Sequence, residues 1–534
     1  MNRSVPLIHS KTQHPTQNTN SLLTLLFLIV FFGGLSILLG QDINPDLRNY
    51  HLYNGFAAFH HRMNYDLAPA LMQTYLNPFF DCINYLLIAL HRPMLTAFLL
   101  GAFSGVIGFI LHEIGAILFQ DQAMSDRRIY NILTLVIGLS GAASVALIGT
   151  TTNDTKMTVM VMLSLYFLLK ANASGQQKFL YLAGFTAGLV LAFKLVAAVY
   201  FLGLFLALWF VDLKKLPFIA AAVIGFFIAN GYWMWLLFKN FHSPIYPLYN
   251  NIFHSPYAPF ITFNFKPTAA AAIKLGFADY LLMPLRLGWS TNTYISNTML
   301  RDIHLGVVFI LTLIFVTQQH VKPRVTRHQS AWTLVLTFFM SSYVLWLVIL
   351  GNFRYSLPLE ALSGLVMIYF AKRIFPTVAS AQIFLCGVVL AIGATTVYPT
   401  LGRAPFQKDY FFMDTPVIPN HAEILMKLAP IAYVVPYFPL QTQFVGMQYV
   451  QLDVNENQLA PAPHKLFSNF LAKLNADIKT RPVYTLGMQE EDRYSLRTQK
   501  ILKLYGYTED KSACQKFATN IGDQLELCPL HFTG

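Results

Sequence analysis

Four ionisable residues stand at the edges of apolar runs, where a charge is costly and calls for a functional reading. Asp46 lies in Gln41-Asp42-Ile43-Asn44-Pro45-Asp46-Leu47-Arg48-Asn49-Tyr50-His51-Leu52-Tyr53-Asn54. The spacing of Asp46, Tyr50 and Tyr53 is that of one helix face, which would set a carboxylate beside two phenols. Asp154 falls in the short turn Thr150-Thr151-Thr152-Asn153-Asp154-Thr155-Lys156, and Lys194 closes the apolar stretch Gly188-Leu189-Val190-Leu191-Ala192-Phe193-Lys194. Arg354 belongs to Asn352-Phe353-Arg354-Tyr355-Ser356-Leu357-Pro358-Leu359-Glu360. A carboxylate can take a proton from a hydroxyl, and an arginine fork suits a phosphate. Gathered on one face of a membrane bundle, these groups would serve an enzyme that acts on a lipid phosphate. Each also has a plainer reading. Asp46 can cap an interfacial helix after Pro45, with the tyrosines anchored at the headgroups. Asp154 can start the helix that follows it, and Lys194 can snorkel.

The elements that position these residues follow from composition. Of 534 residues, 55% are hydrophobic, 15% aromatic and 12% charged; a soluble domain has about 25% charged residues. That excludes a soluble enzyme. Apolar runs at 21–40, 95–119, 131–149, 157–170, 179–194, 195–211, 217–238, 303–317, 331–350, 356–371 and 378–397 predict an all-α polytopic membrane protein of about eleven transmembrane helices. The loops predicted inside carry Arg127 and Arg128, Lys170 and Lys178, Lys214 and Lys215, Lys322, Arg324 and Arg327, and Lys372 and Arg373. This is the positive-inside pattern, so much of the net charge of +12 reports orientation rather than nucleic-acid binding. The predicted organisation is a cytoplasmic tail (1–20), a transmembrane domain (21–397) with large outer loops at 41–94 and 239–302, and a small mixed α/β extracytoplasmic domain (398–534). The tail's strand signal, Val445 to Leu452, is weak. Cys514 and Cys528 both fall in it and can form a bridge if the compartment is oxidising. The Asn172-Ala173-Ser174 sequon is expected on the inner side and unmodified.

The first-loop Asp46-Leu47-Arg48-Asn49-Tyr50-His51-x-Tyr53, the motif Asn77-Pro78-Phe79-Phe80-Asp81, the Thr152-Asn153-Asp154 turn and the Arg354-Tyr355-x-x-Pro358-x-Glu360 segment resemble the GT-C superfamily of integral-membrane glycosyltransferases. The stretch from His242 to Tyr257 resembles an outer loop of bacterial members, with His242-Ser243 in place of Gly-Asn. The resemblance covers roughly residues 21–400. It implies a polyprenyl-phosphate-linked sugar as donor, transferred at the outer face of a bacterial inner membrane to a glycan, lipid or protein acceptor. Asp46 would be the general base and Asp154 a second acid. Lys194, Arg301 or Arg354 would stabilise the departing phosphate. Tyr50, His51, Tyr53, Asp81, Tyr355 and Glu360 would line the substrate. Many members carry two adjacent acids in the first loop, whereas Asp46 is followed by Leu47, so no metal or other cofactor is assigned. A divalent ion on Asp42 and Asp46 stays open, and His60-His61 lack a third ligand at a diagnostic spacing. Asp302 is read equally well as the ion-pair partner of Arg301.

A transporter or flippase for a lipid-linked or anionic solute is the competing expectation. It would concentrate ionisable groups near mid-membrane on broken helices, and His112 and Glu113, inside a run, are the main residues of that kind. A structural membrane subunit with an outer binding domain is a third possibility.

Overall fold

The computed structural model describes residues 15–258, 276–289, 295–318, 327–457, 465–490 and 492–533. Residues 1–14 of the expected tail, Lys322 and Arg324, and parts of the 239–302 segment lie outside the described residues.

In lipid every backbone polar group has to be satisfied within its own segment, so long apolar runs become helices. Among the described residues, six helices are long and apolar enough to cross a bilayer: Ser21–Leu39, Pro93–Leu118, Asp154–Ser174, Lys215–Phe241, Ser330–Leu350 and Val378–Thr395. Shorter apolar helices cover Gln177–Phe193, Leu195–Trp209 and His304–Gln318, and a buried helix covers Leu357–Ile374. Among the described residues a helix thus lies on each of the eleven apolar runs, six of them long enough to cross by themselves. The first helix begins at Pro15, inside the expected tail. The run 131–149 is not one span: Met124–Gly138 ends and a separate short helix, Ala142–Ala146, follows. The cause is local. A Cβ on Gly138 would lie 2.3 Å from the Ala361 carbonyl oxygen, and the Glu360 carboxylate accepts from the Ala143 and Ser144 amides at 3.0 and 2.9 Å. These contacts start a new helix where the first one stops.

Small residues bring the helices together, as they do where lipid supplies no hydrophobic drive. A Cβ on Gly184 or Gly188 would fall 2.0 Å from the carbonyl oxygens of Phe218 and Ala222. The Gln177–Phe193 and Lys215–Phe241 helices are thus in backbone contact. Asn172, the sequon residue, is buried and accepts from Ser330 Oγ at 2.9 Å. His112 and Glu113 pair with each other, and Glu113 also accepts from Ser21.

The first and last spans are joined beyond their ends by an antiparallel pair of two-residue strands, β1 (Gln41–Asp42) and β2 (Arg403–Ala404). The C-terminal region holds a six-stranded mixed sheet of β3 (Glu423–Met426), β4 (Gln443–Gly446), β5 (Val483–Met488), β6 (Tyr507–Glu509), β7 (Gln515–Ala518) and β8 (Gln524–Phe532). Its order is β4-β3-β5-β8-β6, with β7 also on β8. The strand expected at 445–452 ends at Gly446 and gives way to a helical turn, Met447–Val450. Cys514 and Cys528 are bonded. One sheet face, with Leu425 and Val445, packs on the helices Lys465–Asp477 and Arg493–Leu504 through Phe467, Phe470 and Ile501. The other, with Ile424, Met426, Phe444 and Leu527, shares a core with Leu47, Leu52, Tyr53 and Phe56 of the first loop. Alternation along β3 sends neighbouring residues to opposite faces. A boundary at 397/398 therefore separates two segments that share one core.

Candidate active site

The loop 150–156 is the hub of the site. Thr151 donates through N and Oγ1 to Asp42 Oδ2, both at 2.7 Å. Asn153 Nδ2 donates to Asp81 Oδ1 at 2.7 Å, and Lys156 Nζ to Asn84 Oδ1 at 2.8 Å. Asp154 opens the next helix, where a carboxylate meets the positive end of the dipole, and lies 2.5 Å from Lys194 Nζ. Thr151, Asn153 and Lys156 thus tie the first loop to the bundle, while Asp154 holds Lys194.

Asp42 is 1% exposed and serves as foundation rather than as reactant. It accepts from Asn44 Nδ2 at 2.7 Å, and Asn44 Oδ1 in turn accepts from the Leu47 amide at 3.0 Å. From there the chain makes a π-turn, Leu47–His51, closed by Leu52 N–H on the Leu47 carbonyl. A π-turn holds more residues per turn than an α-helix, so the expected common face of Asp46, Tyr50 and Tyr53 does not form. Asp46 and Tyr50 border a cavity of about 340 Å³. Tyr53 is fully buried and donates to Asp66 at 2.9 Å.

Two breaks between helices deliver the cations. Lys194 sits in extended backbone between Gln177–Phe193 and the turn Leu195–Ala197. Arg354 lies on the turn Phe353–Ser356; its amide donates to Asn352 Oδ1 at 3.1 Å, and the turn leads into a helix with Pro358 in its first turn. Arg354 Nη1 donates to Asp46 Oδ2 at 2.6 Å, while its Nε stands 3.5 Å from Asp154 Oδ2. The guanidinium therefore bridges the two carboxylates. Tyr355 lies beneath both cations, with Lys194 Nζ 5.2 Å and the Arg354 guanidinium carbon 5.8 Å from its ring centre. Burial raises the Asp46 carboxyl, but Arg354, His51 and Lys194 outweigh it and hold it below the usual carboxylate range.

Asp46, Tyr50, Lys194, Arg354 and Tyr355 all line that cavity. Its remaining wall is largely apolar, with Leu191, Phe193, Phe226 and Leu237, and Phe193 is stacked on Phe79 at 4.1 Å between ring centres. Asp154, 0% exposed, lies behind the cations. His51 and Asp81 form a buried pair at 2.6 Å, held by Asn153 behind the Asp46 turn rather than at the cavity wall.

Besides Tyr53, His51 and Asp81, Glu360 and Arg301 also lie away from the cavity. Glu360 is buried and spent on the Ala143 and Ser144 amides, so it caps a helix instead of meeting substrate. Arg301 pairs through its backbone with Val397, and its Nε donates to the Thr395 carbonyl at 2.6 Å; it does not line the cavity. Asp302, expected beside Arg301 as its partner, instead accepts from His304 Nδ1 at 2.7 Å and the Ala142 amide at 2.7 Å.

Sequence reasoning gave no site role to Gln73, Asn77, Asn230, Trp233 or Tyr246, which line the cavity. Asn77 Nδ2 donates to Asn230 Oδ1 at 2.9 Å, and Trp233 Nε1 to the Tyr75 carbonyl at 3.0 Å. Gln73 Oε1 is buried and finds no hydrogen-bond partner among the described residues. The Asn77-Pro78-Phe79-Phe80-Asp81 motif signalled this wall, because Asn77, Phe79 and Asp81 each fasten a different element.

No protein-family profile matches the chain, and no curated protein sequence matches it. Among solved structures it resembles ArnT from Cupriavidus metallidurans bound to undecaprenyl phosphate, at 12% identity over 96% of this chain and 98% of that one, with a TM-score of 0.47. The apo oligosaccharyltransferase of Archaeoglobus fulgidus is similar at 13% identity over 89% of this chain and 70% of that one, with a TM-score of 0.44. The archaeal AglB from the same organism, in complex with an inhibitory peptide and a dolichol-phosphate, is similar at 12% identity over 88% and 70%, with a TM-score of 0.44.

Proposed function

We propose that this chain is a glycosyltransferase of the GT-C kind. It moves a sugar from a polyprenyl-phosphate donor to a hydroxyl of an envelope acceptor at the outer face of a bacterial inner membrane, with the N-terminus cytoplasmic. One observation carries the reading: Asp46, Lys194 and Arg354 meet at a cavity whose other wall is largely apolar, with Asp154 behind the two cations. A polyprenyl phosphate has those two halves, an anion and a hydrocarbon chain.

In this reading the donor phosphate binds Arg354 and Lys194 while its prenyl chain lies along Leu191, Phe226 and Leu237. The acceptor oxygen forms a bond to the anomeric carbon, the bond from that carbon to the phosphate oxygen breaks, and the acceptor proton passes to Asp46. Polyprenyl phosphate leaves, its growing charge met by the two cations. The base is weak while Arg354 holds it. When the incoming phosphate draws the guanidinium away, the principal cause of its low basicity is removed and Asp46 becomes competent. Asp154 retains Lys194 throughout. Gln73 Oε1 is free to accept from a sugar or acceptor hydroxyl.

The test is restoration of the envelope glycan in a deletion strain by Asp46→Asn. A membrane-inserted variant should accumulate the polyprenyl-phosphate sugar and leave the glycan absent; full restoration would remove Asp46 as base.

A further inference from the structure

The turn that carries Asp46 holds another cation, one the cavity does not use. Arg48 reaches into the C-terminal sheet region, where Nη2 lies 2.5 Å from Asp523 Oδ2 and the guanidinium carbon 5.7 Å from the ring centre of Tyr433. Tyr433 also donates its hydroxyl to Asp523. Asp523 is itself fixed: its amide donates to Thr519 Oγ1 at 3.2 Å, and its carbonyl accepts from the Thr519 amide at 2.9 Å. The ion pair is largely buried, with side-chain exposures of 21% and 11%.

Asp523 neutralises Arg48 on the side of the turn away from the cavity, as expected for a residue two positions from Asp46 on a helical turn. The link also anchors the π-turn Leu47–His51 from outside the bundle. Elsewhere the two segments are joined by Arg62, which donates to the Leu440 and Thr442 carbonyls, and by the parallel bridge between Leu67 and Val445. The Arg48 contact is the ion pair that acts on the Asp46 turn itself, beside the packing of Leu47 into the shared core.

We infer that Arg48 and Asp523 are positioning residues for Asp46, and that the C-terminal domain is thereby part of the catalytic apparatus. The inference rests on the reading of Asp46 as the base. Neither residue touches the cavity, so both act through the turn.

The test uses the full chain in phospholipid nanodiscs, with and without undecaprenyl phosphate as probe, read by hydrogen exchange. Asp523→Asn and Arg48→Gln should each speed exchange of amides 47–52 by about tenfold or more, leaving Asp154–Ser174 and Val483–Met488 unchanged. The probe should protect this turn in the native protein and fail to do so in either variant. Asp523→Glu, which keeps the charge, should behave as native, whereas a steric role would favour the isosteric asparagine. The double variant should be no worse than either single one. Native-like exchange in Asp523→Asn, failure of Asp523→Glu to rescue, or additive effects of the two changes would each overturn the inference. If Asp523→Asn disturbs the whole sheet, Arg48→Gln decides alone, since it leaves the sheet intact. A native protein that ignores undecaprenyl phosphate would defeat the transferase reading while the exchange comparison still judges the clamp.

Discussion

Two clusters of acids and bases are built from the same residue types, and only one of them meets a cavity. In the Asp302, His304 and Glu360 cluster every side-chain polar atom is engaged. Asp302 accepts from His304 and Ala142, His304 Nε2 donates to the Ile137 carbonyl at 2.7 Å, and Glu360 accepts from Ala143 and Ser144. In the Asp46, Arg354, Asp154 and Lys194 cluster, Arg354 Nε and Asp154 Oδ2 face each other at 3.5 Å, too far for a hydrogen bond. The first cluster has used its polar contacts on folding, and the second has kept some in reserve. Unspent hydrogen-bonding capacity beside a cavity, rather than the mere presence of buried charge, marks the second cluster as the candidate site.

That contrast is open to attack by substitution. The largest effect belongs to Asp46→Asn, expected to lower transfer by about 10²- to 10⁴-fold, the usual contribution of a positioned base, with thermal unfolding nearly unchanged. It is read in membranes that carry the native donor and acceptor. Arg354→Gln removes a charged partner of the phosphate and should weaken undecaprenyl-phosphate binding by roughly tenfold to a hundredfold. Equal affinity in that variant would move the anion site elsewhere. Glu360→Gln should do the reverse of Asp46→Asn: a loss of about 1–3 kcal/mol in stability, seen by denaturation, with the probe bound as tightly as before. If Glu360→Gln instead abolished binding at native stability, the distinction between the clusters would collapse.

The pH dependence sharpens the same contrast. Arg354 and its neighbours depress the Asp46 carboxyl, so its acceptor form persists below the ordinary carboxylate range. kcat/KM, which reports the free enzyme, should fall only as pH drops through that lowered value. The stability contributed by this group is likewise present above its unfolded pKa and lost as pH falls through the folded one. In Arg354→Gln the acid limb of kcat/KM should move to higher pH; a limb that stays put would mean another group sets it. The smallest effect is Arg301→Gln, which should change probe affinity by less than about twofold, because a residue outside a site seldom couples to it.

The bundle was legible because apolar runs report burial directly, as at 95–119 and 217–238. The cations were also legible: Lys194 and Arg354 lie where an apolar run ends, and the break in the helix makes that visible. Tyr53 was not, because the hydrophobic pattern of an α-turn and of a π-turn is the same over one turn. Nor was Glu360, whose place in Arg354-Tyr355-x-x-Pro358-x-Glu360 gives no hint that it reaches a helix more than two hundred residues earlier in the chain. The plainer reading of the Asp46 segment was an interfacial helix, yet its Leu47, Leu52 and Phe56 are covered by a sheet from the other end of the chain. Local pattern reports that a face is buried and is silent about what buries it.

The Arg48 contact spans 475 residues of sequence, and this has a temporal consequence. A ribosome adding about 5–20 residues per second releases Asp523 roughly half a minute to a minute and a half after Arg48. During that interval the bundle can insert and the two cations can reach their places, while the turn bearing Asp46 still lacks its outer anchor. A nascent chain thus acquires its membrane body first and the final restraint on its reactive turn last, so an unfinished copy holds the parts of the site without their finished alignment.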